Sequence, residues 1–122
     1  MSLSISLISK TPGRDTDTEE KDIAPYTDFF GFESYRKDLW GHAVIAELGC
    51  TITHALRTEN IYVIDEELIA FKAELLRLQQ HVAYVAERTG IAPDSIAKRI
   101  NNALGYIARA ALDMQNLGVT IG

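Results

Sequence analysis

One cysteine, Cys50, stands among 122 residues, so no disulfide can form within the chain, and no Cys/His spacing of a structural zinc site is present. No glycine-rich phosphate loop occurs, and no apolar run approaches the ~20 residues that span a bilayer. The stretch "SLSISLIS", Ser2–Ser9, lacks a basic flank and a small-residue cleavage site, so it does not read as a signal peptide. Positive charge is in short supply: 12 Lys and Arg face 17 Asp and Glu, a net charge of −5. These absences point to a cytoplasmic protein and away from membranes and nucleic acid.

What is there is ordinary globular material, 47% hydrophobic and 24% charged, enough for one domain over residues 1–122 with a core of its own. The charge is uneven. Residues 1–67 carry six Lys/Arg against thirteen Asp/Glu, whereas residues 68–122 carry six against four. An acidic half favours basic partners.

Leu3, Ile5 and Leu7 alternate with serines, the period of a half-buried strand. Residues 10–24 form an acidic, solvated loop. Its Asp15, Asp17 and Glu19 have the spacing of a calcium loop's first ligands, but Glu20 stands where glycine is needed and Tyr26 where the closing glutamate is needed. An aromatic-rich helix is expected over about 32–48, interrupted at Gly41 and stopped by Gly49. Thr51–Leu56 and Ile61–Ile64 read as a hairpin about the turn 57–60. Asp65 is a candidate N-cap, with Glu66 and Glu67 in the first turn and Ile64 stapling onto Ile69. Leu68, Phe71, Leu75, Leu78, Val82 and Val85 then predict one helix over about 66–89. Ile96, Ile100, Ala103, Ile107, Ala110, Met114 and Leu117 predict a second over about 93–117. Together they form an antiparallel helical hairpin. The tail "VTIG" can add a final strand. The expected fold is α+β: a small, mainly antiparallel sheet packed on that hairpin.

"VAERTGIAPDSIAKRIN", Val85–Asn101, resembles the lac-repressor type of helix-turn-helix. The resemblance covers only this stretch. The motif's first helix is short, Arg99 stands where it has a packed apolar side chain, and Gly90 with Ile91 already suits a Schellman cap. Lys98 and Arg99 alone are thin phosphate coverage, so a DNA-binding regulator ranks second among the functions considered.

Chemistry is sparse. Cys50 and His54 are the nearest approach to a nucleophilic pair, but on a strand they stand too far apart to hydrogen-bond. His42 and Glu47, five apart, lie on different sides of a helix. No catalytic residue, cofactor or metal ligand is assigned, and a small enzyme ranks third.

The richer set is aromatic. Six of the ten aromatic residues lie from Tyr26 to Trp40. Tyr26, Asp28, Phe29, Phe30, Glu33, Tyr35 and Trp40 are the candidate partner-binding residues, since exposed aromatics ringed by charge anchor protein interfaces. The N-terminal strand, the acidic segment leading to "DFFGFESYR", "IYVIDEEL" and "EELIAFKAELLRL" resemble, over residues 1–78, small bacterial immunity proteins of polymorphic-toxin systems. That resemblance implies a non-catalytic protein that binds and blocks a toxin. Surplus apolar width on the two helices also predicts a homodimer, with Tyr106, Ala110 or the aromatic cluster in its contact.

Overall fold

The structure, a computed structural model, describes residues 2–122. It is α+β. Strands β1 (Ser2–Ser9), β2 (Phe29–Phe32), β3 (Ile61–Val63) and β4 (Leu117–Ile121) form one antiparallel sheet in the order β2-β1-β4-β3. Helices α1 (Asp17–Lys21), α2 (Ala43–Glu47), α3 (Thr51–His54), α4 (Glu66–Gln80), α5 (Val82–Thr89) and α6 (Pro93–Ala111) complete it, with a π-helical turn at Arg36–Trp40 and a 3-10 turn at Ala55–Arg57. No helix among the described residues is long and apolar enough to cross a membrane.

Alternation in β1 works as the period predicts: Leu3, Ile5 and Leu7 are buried while Ser2 and Ser4 are exposed. The "VTIG" segment is not a marginal addition but the centre of the sheet, pairing Ile121 with both Ile5 and Ile61. Helix α6 lies on β1, β2 and β4 and also packs against α4 and α5. Its two apolar faces are thereby both used. Ala103 and Ala110 are fully buried, as close approach of neighbouring elements demands.

Four elements differ from expectation. The long helix breaks at His81 (φ −118°, ψ 22°) into α4 and α5. There the His81 backbone N–H bonds to Leu78 C=O, while ring Nδ1 lies 2.8 Å from Arg77 C=O, which can only accept, so Nδ1 donates. A side chain has entered the helical ladder, a recognised cause of a kink. The helix expected over 32–48 is replaced by β2, the π-helical turn and α2, with the break at Gly41 and a left-handed Gly49 (φ +79°) where the glycines lead one to expect them. The first strand of the 51–64 hairpin is instead α3 and the 3-10 turn, and α6 ends at Ala111, six residues short of Leu117.

Two backbone positions are set against each other. Gly90 is left-handed (φ +75°) as its place predicts, although Ile91 N–H bonds to Thr89 Oγ1 rather than closing a full Schellman motif. Asp65 has φ +53° and ψ −131°, a conformation that suits glycine, and its carboxylate pairs with Lys10 instead of capping α4. Ile69 is 62% exposed, so no hydrophobic staple forms. At Gly90 a Cβ would meet no atom, so Gly90→Ala isolates backbone strain and should cost about 1 kcal/mol in urea unfolding. Asp65→Gly should do the reverse. Relief of roughly 1–3 kcal/mol of strain outweighs an exposed ion pair worth about 0–1 kcal/mol.

Candidate protein-binding groove

The register of β4 decides which edge of the sheet is free. Ser4 and Gly122 exchange both backbone bonds, at 3.0 and 3.1 Å. By antiparallel alternation, Gly122, Thr120 and Gly118 then bond toward β1, and Ile121 and Val119 bond toward Ile61 and Val63 of β3. The N–H and C=O of Tyr62 therefore point away from the sheet, and its side chain is 65% exposed. The opposite side is closed. Ile5 N–H donates to Asp28 C=O (2.7 Å), and Leu7 N–H donates to the Glu20 carboxylate (3.0 Å). On β2, Trp40 Nε1 donates to Phe30 C=O (3.0 Å), and Asn102 Nδ2 to Phe29 C=O (2.9 Å).

Beside the open edge runs a groove of about 710 Å³ between α3, β3 and the start of α4. Ile52, Ala55 and Ile61 supply its apolar lining, with Tyr62, Glu59 and Glu67 around them. Neither glutamate has an ion-pair partner among the described residues. The walls are held by two long-range contacts. The Arg36 guanidinium donates to Leu56 C=O and Glu59 C=O, both at 2.9 Å, and to Asn60 Oδ1 at 2.5 Å, with Glu33 at 2.6 Å on Nε. The buried Glu74 carboxylate accepts from Ile52 N–H (3.1 Å), Thr53 N–H (2.9 Å) and Thr53 Oγ1 (2.9 Å). The two N–H groups are orphan donors of α3's first turn, capped from another helix. That cap is why the β-branched run Thr51-Ile52-Thr53 is helical.

The candidate partner-binding residues do not form one surface. Phe30 and Trp40 are fully buried and stacked, ring centroids 4.3 Å apart at 11°, so both belong to the core and not to an interface. Glu33 is engaged by Arg36. Tyr35 is half-buried edge-on to Phe32, while Phe29 lies beneath the Arg99 guanidinium, 4.3 Å from ring centroid to carbon. Tyr26 and Asp28 are exposed on the β2 side, away from the groove. Tyr106 is 5% exposed and Ala110 fully buried, so any self-association uses another surface. The helix that a DNA reader would lay in the major groove, α6, is packed between the sheet and α4–α5.

Cys50 precedes α3 as its N-cap and His54 ends it, and the two share only a backbone bond, His54 N–H to Cys50 C=O. Burial, with the Glu74 carboxylate adding to it, pushes the Cys50 thiol up to about 11, the wrong direction for a nucleophile. Among the described residues no three His, Cys, Asp or Glu side chains are grouped to hold a metal ion.

Sequence reasoning missed Tyr62, Glu59, Glu67 and Glu74. Tyr62 is the outward position in Ile61-Tyr62-Val63. Glu74 lies three after Phe71 and one before Leu75, on the apolar face of its helix, which marks it as a buried carboxylate in need of donors. No family model, curated protein or solved structure matches the chain.

Glu74→Ala leaves two backbone N–H groups and a hydroxyl without their acceptor. It should lower stability by about 2–3 kcal/mol, read by chemical denaturation. Glu74→Gln keeps the shape and one acceptor oxygen and should cost less. Equal stability of all three proteins would show that the cap does not hold α3.

Proposed function

We propose that the chain is a non-enzymatic protein-binding module that takes an extended, basic segment of a partner along the free edge of β3. One observation carries this: the outward N–H and C=O of Tyr62 lie beside a preformed groove bearing two unpaired carboxylates. Strand addition uses such an edge for affinity and the flanking side chains for selection. Glu59 and Glu67 favour lysine or arginine in the added strand. They also disfavour pairing of β3 with β3 of a second copy, which would bring the same glutamates together. The narrower form of the proposal is an immunity-type inhibitor acting in the cytoplasm, whose partner is a toxin with a basic active site. The acidic first half and the resemblance over residues 1–78 support it.

Tyr62→Pro is the discriminating variant. It removes an N–H that β4 does not use, so the ladder survives while strand addition is blocked. A short peptide of alternating lysine and valine should bind the native protein and slow amide exchange at Tyr62. Binding should be lost in Tyr62→Pro and weakened about tenfold or more in Glu59→Lys with Glu67→Lys. Binding that survives Tyr62→Pro, or that persists when glutamate replaces the peptide's lysines, sinks the proposal. For the narrower form, the expected outcome is neutralisation, on co-expression, of a toxin encoded beside this chain.

A further inference from the structure

At the other edge of the sheet, a cleft of about 340 Å³ lies between the Pro25–Thr27 segment and the middle of α6. We propose that it binds an oxyanion, a phosphate or carboxylate group, on Arg99 and Lys98. The site is independent of the β3 groove.

The first observation is an arginine left unused. Arg14, Arg36, Arg88 and Arg109 form ion pairs, and Arg57 and Arg77 donate to the carbonyls of Gly41 and Leu48. Arg99 alone makes no hydrogen bond or ion pair among the described residues, and its Nε is buried without a partner. Guanidinium donors usually find oxygen, and a fixed guanidinium with vacant in-plane donors has the geometry that oxyanions take in two-pronged fashion.

The second is that the guanidinium is held in place. Its central carbon lies 4.3 Å from the Phe29 ring centroid, so that ring covers one face. Phe29 is itself fixed through Asn102. That amide donates to Phe29 C=O (2.9 Å) and Thr27 Oγ1 (3.2 Å), and accepts from Thr27 N–H (3.1 Å). The wall of the cleft is thus clamped to the helix that carries the cations.

The third is local charge. No carboxylate lines this cleft, although the chain holds 17 acidic residues against 12 basic ones. Lys98, exposed and without an ion pair among the described residues, adds a second positive charge at the rim. Tyr26, exposed and packed over Gly105, borders the other side and offers a ring to whatever carries the anion.

The test is a nuclear magnetic resonance titration of the full chain that follows the Arg99 Nε–Hε signal. Inorganic phosphate and acetate are added in separate arms, with chloride keeping ionic strength constant. A saturable shift with either anion, at millimolar concentration or below, is the expected result, and the arm that saturates first identifies phosphate or carboxylate as the preferred group. Arg99→Lys keeps the charge but not the fork and should weaken that binding about tenfold. Lys98→Ala should weaken it several-fold, while Lys72→Ala, on α4, should leave it unchanged. Both cleft variants are checked for folding by thermal unfolding, and Lys98→Ala, on an exposed side chain, keeps the test open if Arg99→Lys unfolds. Non-saturating shifts in both arms, or saturation that neither cleft variant alters, overturns the proposal.

Discussion

The wall of the groove depends on one buried carboxylate. Glu74 reaches from α4 to the first turn of α3 and satisfies three donors that would otherwise face the core. A buried polar group so placed is tolerated because both its oxygens accept hydrogen bonds, and those bonds give a four-residue helix an identity it would not have alone. The same contact sets where Ile52 and Ala55 stand, and so the shape of the space beside β3. An acid in the core here makes a specific conformation rather than a reactive centre, and the neighbouring Cys50 thiol is kept protonated by the same surroundings.

The sheet shows a matching division between closed and open edges. Segment 10–24, read from sequence as an acidic loop, supplies the Glu20 carboxylate to the backbone of β1, and Asp28 beyond it supplies a carbonyl, so part of the loop's polarity is structural. Asn102 and the Trp40 indole occupy carbonyls of β2 in the same manner. Edge groups are liabilities that proteins cover or shorten. Here β3 is shortened to three residues but not covered, and its flank carries negative charge. That combination limits indiscriminate pairing while leaving a place for a strand of opposite charge.

The elements legible in the sequence were those whose signal is local. β1 followed from the alternation of Leu3, Ile5 and Leu7, α6 from Ile96 to Ala110, and the turn at Gly90 from a glycine at a helix end. Segment 51–57 was misread because Thr51, Ile52 and Thr53 favour strand, and the deciding partner, Glu74, is more than twenty residues away. The break at His81 was invisible for a related reason. The apolar spacing passes through it undisturbed, and only a ring-to-carbonyl bond reveals it. The aromatic cluster could be seen but not sorted: composition does not tell that Phe30 and Trp40 stack inward while Tyr26 and Phe32 face out. Of the groove itself little was readable, since its walls come from separate stretches joined by Arg36 and Glu74.

Strand β4 has a kinetic consequence. Ile5 pairs with Ile121, and the same β4 residue pairs with Ile61, so neither β1 nor β3 can join a common sheet until the segment 117–121 is docked between them. Nearly the whole chain must be looped before that pairing is made, and the entropy of closure comes before any of its ladder bonds. The helices α4, α5 and α6, whose mutual contacts are closer in sequence, are free to associate earlier. Strand β1 can meet β2 across a much shorter loop, so the step that waits on the end of the chain is the joining of that pair to β3 through β4.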